Sequence, residues 1–343
     1  MKQLLNTLFV LTEDTWLSTE DENIIVCMVD GSEKKIPFIN LENIIYFGWK
    51  GASPALLGAC AERGIGFCFI SPFGKFLARV CGISHGNVLL RKAQYRLSDD
   101  EHECCTLAKY FITGKICNAR ATLMRTLRDH PLSVNKDKFA EIISTLKTCL
   151  KDAANAQNPD ELRGIEGSAA KLYFSAFDDM ILADKKTFRM EERTRRPPTD
   201  PLNALLSFAY TILSHDCASA LEAVGLDAYV GFLHRDRPGR ISLALDLMEE
   251  LRSVYADRFV LTLVNNRIVS SKHFKKMETG AVLLNDEGRK IFLQQWQEKK
   301  REKIEHPFLH EKISWGLVSY VQALLLAKYI RQDLDGYPAF IWK

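Results

Sequence analysis

The sequence has no Cys-x-x-Cys pair, although it contains nine cysteines. This absence excludes a zinc ribbon and a thioredoxin-like motif, since both need two cysteines at that spacing. The cysteines are an odd set scattered through apolar surroundings, as Cys27 is in IVCM and Cys68 is in FCF. The pattern is typical of buried, reduced thiols in a reducing compartment rather than of a disulfide framework.

Long apolar runs are also missing. No stretch approaches the roughly 20 apolar residues that cross a membrane, and the apolar run in the N-terminal MKQLLN is too short for a signal peptide. Gly-rich nucleotide loops, a Ser/His/Asp pattern, zinc-finger spacings and internal repeats are absent as well. The sequence therefore predicts a cytoplasmic protein that has no membrane segment.

A strong excess of charge of one sign is lacking too. With 46 Lys and Arg against 43 Asp and Glu, the formal net charge is +3. Such a balance does not identify a nucleic-acid-binding protein, so any basic surface must come from local clusters. An apolar content of 47% indicates a folded protein, and 343 residues are about right for two domains.

The pattern of apolar residues along the sequence changes at about residue 90. The first part contains short β-branched or aromatic runs separated by turn signals. It also contains one predicted helix over residues 54–63, with Gly64 where a C-terminal cap belongs. The predicted strands cover residues 7–11, 24–29, 43–47, 66–70 and 76–80.

From about residue 90 the apolar residues follow a helical period. Helices are predicted over residues 88–97, 101–129, 136–155, 159–182, 201–223, 241–257, 286–303 and 308–332, with one short β segment at 280–284. One helix start is well marked, because Asn158 suits the N-cap and Pro159 the first helical position. The sequence predicts the α+β class, with a small N-terminal β-rich domain (residues 1–90) followed by a larger all-α domain (residues 91–343).

Glu166 stands out in the helix predicted over residues 159–182. The apolar stripe of that helix runs through Tyr173 and Phe177, and Glu166 lies on the same stripe nearer the N-terminus. A carboxylate at such a position is costly unless a cation or hydrogen-bond donors meet it. It is either a functional carboxylate or the partner of an arginine such as Arg163, and the pattern leaves both open.

A second group of acids lies in the helix predicted over residues 241–257. Apolar residues surround nearly the whole helix, so it is expected to be buried on most sides. Asp246 lies one turn from both Glu249 and Glu250, and the three carboxylates are predicted to come within reach of one point. Buried acids need a positive partner, and either a divalent cation or the arginines of the preceding loop would serve.

His234 ends the apolar segment GFLH and precedes this acidic helix. A lone histidine is more often structural than a metal ligand, yet a turn here would bring the imidazole back over the carboxylates. A mixed set of histidine and carboxylates suits Mg²⁺ or Mn²⁺ better than a structural zinc ion. The pattern is consistent with a divalent-metal site and leaves a structural role for His234 open.

Positive charge clusters beside both segments. The loops at residues 185–196 and 235–240 are rich in basic residues, which indicates either contacts with phosphates or solvated loops. The candidate DNA-binding residues are Arg193, Arg195, Arg196, Arg235, Arg237 and Arg240.

Three segments together resemble the signatures of a known family. GIEGSAAKLY at residues 164–173 resembles the first signature of the CRISPR-associated integrase family, the endonuclease subunit of the spacer-acquisition complex. RRPPTDPLNALLSF at residues 195–208 resembles the second signature. GFLH at residues 231–234, followed by SLALDLMEELR at residues 242–252, is similar to the third. The segments occur in the order found in the family, and the β-then-α layout fits the whole chain.

The resemblance implies a function and a set of site residues. It implies that Glu166, His234 and Glu249 are the ligands of Mg²⁺ or Mn²⁺ and that Asp246 is a neighbouring acid that assists. It also implies a homodimer held through the N-terminal β domain and a small ferredoxin-like partner subunit. The implied substrates are double-stranded DNA, namely a short captured fragment and the CRISPR repeat array that receives it. In the implied reaction, a 3′-hydroxyl attacks a phosphodiester.

Two other functions remain open from the residues. One is a stand-alone, structure-selective metal nuclease, in which water replaces the 3′-hydroxyl. The other is a non-catalytic DNA-bridging scaffold whose acidic residues only neutralise arginines.

Overall fold

The computed structural model describes residues 6–12, 14–71, 76–80, 88–195 and 197–342. The chain divides into two compact units, one of residues 1–85 with 285–302 and one of residues 86–284 with 303–343. Within the described residues, no helix is both long enough and apolar enough to cross a membrane. The assignment of residues 1–90 to a dimerisation domain stays a prediction.

The strands of the first unit form two sheets. In chain order they are β1 (Asn6–Val10), β2 (Trp16–Glu20), β3 (Asn23–Cys27), β4 (Glu33–Pro37), β5 (Leu41–Phe47), β6 (Gly66–Ile70) and β7 (Phe76–Val80). One sheet has the order β1-β5-β6-β7, parallel except for the antiparallel pair β6–β7. The other sheet is the antiparallel meander β2-β3-β4.

The core of this unit forms around the central strand β5. Ile44 and Tyr46 on β5 and Phe67 on β6 are fully buried. The buried hydroxyl of Tyr46 donates a hydrogen bond to the carbonyl of Thr15 at 2.6 Å. The central strands can thus be continuously apolar, as expected for a sheet covered on both faces.

Both units contain α-helices. They are α1 (Pro54–Glu62), α2 (Val88–Asp99), α3 (Glu101–Asp129), α4 (Lys136–Asn155), α5 (Pro159–Ser175), α6 (Pro201–Ala223), α7 (Ser242–Glu249), α8 (Arg258–Asn265), α9 (Asp286–Arg301) and α10 (Val318–Ile330). Helix α9 belongs to the first unit, where Nη2 of Arg301 donates to Oδ1 of Asn6 at 2.9 Å.

Most of the predicted elements are present. The five predicted strands coincide with β1, β3, β5, β6 and β7 within about two residues at either end. Helix α5 starts where its sequence indicated, since the side chain of Asn158 accepts a hydrogen bond from the N–H of Glu161 at 2.9 Å. Two strands were not predicted: β2 (WLSTE), which has only two apolar residues, and the largely exposed edge strand β4 (EKKIP). The predicted α+β class is confirmed.

Three predicted helices differ from the structure. The helix predicted over residues 159–182 ends at Ser175, and that over residues 241–257 ends at Glu249 before a π-helical turn, Arg252–Asp257, that leads into α8. The prediction for residues 308–332 was wrong at its start. There His310 has a positive φ of 54°, and the chain forms the short strand pair β10 (Lys303–Glu305) and β11 (Lys312–Ser314) before α10 begins.

The second unit is therefore helical with small β additions. Another short pair, β8 (Phe274–Lys276) with β9 (Val282–Leu284), covers most of the β segment that was predicted at residues 280–284. Helices α3, α4 and α5 pack against one another, and α3 also contacts α7. This packing brings the segments that carry the candidate site residues together.

Candidate active site

The loop before α7 is folded around the carboxylate of Asp246. This residue is fully buried, and its oxygens accept hydrogen bonds from the backbone N–H groups of Phe232 (2.7 Å), Leu233 (3.1 Å) and His234 (3.0 Å). Position 231 needs glycine, because a Cβ there would lie 2.8 Å from Oδ2 of Asp246. The turn that carries His234 back over α7 is thus fixed by one buried acid.

The imidazole of His234 is held by the same carboxylate. Its Nδ1 lies 2.6 Å from Oδ1 of Asp246, and because a carboxylate oxygen accepts, Nδ1 carries the proton. In the neutral ring Nε2 then keeps its lone pair, and it lies 3.9 Å from Oε1 of Glu249. Metal-binding histidines are commonly oriented by a carboxylate in this way. Asp246 therefore supports the ring of His234 from behind.

Glu166 and Glu249 meet at a third residue, Lys115 of α3. The ammonium group of Lys115 contacts Oε1 of Glu166 and lies 2.8 Å from Oε2 of Glu249. The exposed fraction of the side chain is 3% for Glu249, 12% for Lys115 and 26% for Glu166. The site therefore opens to solvent on the side of Glu166 and is closed behind Glu249.

The carboxylate of Glu249 is ionised despite its burial. Burial alone would raise its pKa, but the nearby charges of Arg252 and Lys115, and of His234 when its ring is protonated, outweigh that effect and lower the pKa to about 2. Arg252 contributes through its Nη2, which lies 2.9 Å from Oε1 of Glu249. A negative charge is thereby maintained at the closed end of the site.

The donor set fits a hard divalent cation. Two carboxylates and an imidazole whose Nε2 is aimed at one of them are the ligand types that suit Mg²⁺ or Mn²⁺. As the side chains stand, no three His, Cys, Asp or Glu residues in the described ranges lie close enough together to hold a metal ion. Instead, Nζ of Lys115 lies against one oxygen of each carboxylate.

The family is decided by comparison with known proteins. Residues 8–298 match the sequence profile described as CRISPR associated protein Cas1. The chain belongs to the Cas1 family. It is 48% identical to "CRISPR-associated endonuclease Cas1 1" of Chlorobaculum tepidum, with both chains covered completely. It is 49% identical, again with complete coverage of both chains, to "CRISPR-associated endonuclease Cas1 2" of Rhodospirillum rubrum.

The fold is also found among solved structures. A casposase bound to integration product superposes with a TM-score of 0.85, covering 99% of this chain and 95% of that chain. Its identity of 21% shows a shared fold. The predicted family is confirmed, and the names of the Cas1 relatives bear out the prediction of a CRISPR-associated endonuclease.

The three acids of the 241–257 segment do not share one point, so that prediction was wrong. The carboxylate of Glu250 accepts from the Tyr337 hydroxyl (2.7 Å), the Gln322 amide (2.8 Å) and the N–H of Phe340 (2.6 Å). Burial raises the pKa of Glu250 to about 7. Adjacent helical residues point about 100° apart, so Glu250 faces the C-terminal segment and not Lys115.

The arginine considered as a partner of Glu166 is engaged elsewhere. Arg163 contacts Asp160, and its Nη1 donates to the carbonyl of Leu233 at 2.7 Å. It therefore supports the His234 loop. The cation that meets Glu166 is Lys115, which the sequence reasoning missed. The sequence did contain an indication of this role, because Lys115 lies at helical spacing from Phe111 and Asn118, which are both buried, and therefore on the same face of α3.

The candidate DNA-binding arginines lie in different environments. Arg193 is engaged within the fold, where it donates to Oδ1 of Asn203 at 2.7 Å and lies over the ring of Tyr210. Arg195 and Arg237 are exposed. The other three are Arg235, which is exposed and paired with Asp160 at 2.6 Å, Arg240, which is half-buried, and Arg196, which lies outside the described residues.

Proposed function

We propose that this site cuts and joins DNA strands with one divalent cation, Mg²⁺ or Mn²⁺, held by Glu166, His234 and Glu249. The observation that carries the proposal is the meeting of Glu166 and Glu249 at one ammonium group, with Nε2 of His234 beside them. These residues come from α5, α7 and the loop before α7, so only the folded chain brings them together. The names of the Cas1 relatives support an endonuclease.

The proposed reaction is the insertion of a short DNA fragment into a CRISPR repeat array. The 3′-hydroxyl of the fragment attacks a phosphodiester of the repeat, and the 3′-oxygen of the cut strand leaves. One phosphodiester is exchanged for another, so no nucleotide cofactor is needed. The fold shared with a casposase bound to integration product supports strand transfer rather than hydrolysis alone.

The residues of the chain have separate roles in this proposal. When bound, the cation would stabilise charge on the phosphoryl, entering and leaving oxygens. Asp246 keeps His234 in the tautomer that can ligate, and Arg252 holds the carboxylate of Glu249 in place. Glu166 is the more exposed of the two carboxylates, so we expect a DNA strand to approach the site from its side.

The proposed partners follow from the family and the resemblance. They are double-stranded DNA, a second copy of this chain and a small ferredoxin-like subunit, and we expect the complex to act in the cytoplasm. Within the part of the chain that the structure describes, the exposed candidates Arg195 and Arg237 are those that we expect to contact phosphates.

An integration assay on a plasmid that bears a repeat tests the proposal. Glu166→Ala, His234→Ala and Glu249→Ala should each remove nearly all strand cleavage and transfer, as should excess chelator. Products that contain only cut strands, with or without the small subunit, would favour a stand-alone nuclease. Full activity in excess chelator would refute the metal site, and no metal-dependent activity under any condition would favour a DNA-bridging scaffold.

A further inference from the structure

The ammonium group of Lys115 is shared by the two carboxylates that the proposed metal ion requires. It contacts Oε1 of Glu166 and lies 2.8 Å from Oε2 of Glu249. A divalent cation would need lone pairs of the same two side chains. Lys115 and a metal ion therefore compete for the same acceptors.

The second cation at the site, Arg252, is placed differently. It contacts the other oxygen of Glu249, Oε1, at 2.9 Å, and its guanidinium also lies 4.9 Å from the centre of the ring of Tyr210. Arg252 combines an ion pair with packing against an aromatic ring, which fixes its planar guanidinium, whereas the ammonium group of Lys115 is a point charge on a flexible stem. A cavity of about 30 Å³ adjoins both Lys115 and Arg252, so the two cations differ in how they are held and not in the space beside them. Lys115 is the cation that can leave.

We propose that Lys115 is a built-in substitute cation. In the metal-free protein its ammonium group holds Glu166 and Glu249 together, and it releases both carboxylates when a divalent metal binds. This inference rests on the proposed metal site and adds that Lys115 lowers the affinity of that site for a divalent metal ion. Charge balance supports it, because two carboxylates already face two cations, and a metal ion added beside an unmoved ammonium group would leave an excess of positive charge.

A purely structural role for Lys115 makes the opposite prediction. If the lysine only shaped the site, its removal would disorder the carboxylates and weaken metal binding. If it occupies the place of the cation, its removal strengthens metal binding and destabilises the metal-free protein, since the buried Glu249 and the half-buried Glu166 then lose the cation that they share.

The experiment is a titration of the full chain with Mn²⁺, in which free Mn²⁺ is followed by its electron paramagnetic resonance signal. Lys115→Met should bind Mn²⁺ at least about tenfold more tightly than the unaltered chain. Lys115→Arg, which keeps the charge, should bind at close to the original affinity. The matched control is Lys171→Met, because Lys171 is an exposed lysine on α5, the helix that carries Glu166.

Two further measurements separate competition from a general effect of charge. The gain in Lys115→Met should persist at high salt, where distant charges are screened. Its melting temperature should be lower without metal and should rise more on addition of Mn²⁺ than that of the unaltered chain. If Lys115→Met does not fold, Lys115→Gln takes its place in the same titration.

The possible failures can be told apart. If the unaltered chain binds Mn²⁺ and folded Lys115→Met binds it no more tightly, the substitute-cation proposal is overturned and the metal site stands. If neither protein binds Mn²⁺, both proposals fall. A gain that is equally large in Lys171→Met also overturns the role of Lys115, because the effect would then belong to net charge.

Discussion

Nδ1 of His234 lies 2.6 Å from Oδ1 of Asp246, and this pair joins the loop to the helix that carries Glu249. The same carboxylate also accepts three backbone N–H groups of that loop. The orientation of the imidazole and the path of the loop therefore depend on a single side chain.

Asp246→Asn tests this dependence. A carboxylate accepts hydrogen bonds from the backbone N–H groups and from Nδ1 of His234. The amide of asparagine replaces one accepting oxygen with an NH₂ group, which cannot accept, so the ring of His234 should lose its fixed orientation. We expect Mn²⁺ affinity to fall by about 10- to 100-fold, as is usual when the partner of a metal-binding histidine is removed. Titration with Mn²⁺ measures this, and Asp152→Asn, which alters an exposed acid on α4, should leave the affinity unchanged.

Gly231→Ala should destabilise the fold of the same loop. The added Cβ would lie 2.8 Å from Oδ2 of Asp246 and 2.9 Å from the backbone carbonyl carbon of Ser242, so the backbone must shift. We expect a loss of about 1–3 kcal/mol in the free energy of unfolding, measured in urea. Gly58→Ala in α1 meets no atom within 4 Å and should stabilise the protein instead. Equal effects of the two substitutions would contradict the account of the loop.

Asp257 should make stability fall as the pH rises. Burial raises its pKa from 3.8 to about 6, although the hydroxyls of Tyr210 and Tyr173 and the charges of Arg252 and Arg193 oppose the shift. The unfolded carboxyl group loses its proton near pH 4 and the folded one near pH 6. The contribution of Asp257 to the free energy of unfolding should therefore decrease by up to about 3 kcal/mol across this window and stay constant above it.

Asp257→Asn should remove that pH dependence. Its amide oxygen can still accept from the hydroxyl of Tyr210, which lies 2.5 Å from Oδ1 in the native residue. The variant should match the unaltered chain near pH 4 and exceed its stability at pH 7. Urea unfolding at a series of pH values measures both curves, and parallel curves would show that Asp257 does not titrate in this range.

DNA binding should depend steeply on salt because most of the affinity comes from phosphate contacts. Changing the exposed Arg195 and Arg237 together to alanine should reduce the slope of log affinity against log salt by about two. Arg193→Ala should lower the melting temperature instead, because that guanidinium is bonded within the fold. Fluorescence anisotropy on any duplex measures the slope, and an unchanged slope in the double variant would remove these two arginines from the interface.

The proposed homodimer should depend on the apolar surface of the first unit. Trp49 and Ile39 are 68% and 81% exposed, and we expect the second copy to cover these large apolar side chains. Trp49→Glu should shift the full chain from dimer to monomer in light scattering. Leu132→Glu, at a 94% exposed position in the second unit, should leave the dimer intact. A dimer that survives Trp49→Glu and dissociates with Leu132→Glu would place the interface in the helical unit.

The order and type of most elements could be predicted because they depend on local patterns. The start of α5 is an example, since Asn158 and Pro159 determine it within a few residues of sequence. The failure at residues 308–317 has a local cause as well. A non-glycine residue with positive φ, His310, and a short strand pair interrupt a stretch whose apolar spacing resembled a helix.

The sequence by itself determined which acids and which histidine were unusual, because a charged group on a buried stripe is visible from spacing alone. Only the tertiary structure decided what they meet. Glu249 and Glu250 are adjacent, yet one faces Lys115 and the other faces Tyr337. The reason is that side-chain partners are set by the packing of α3 and the C-terminal segment against α7, and no local pattern encodes contacts between residues so far apart in the chain.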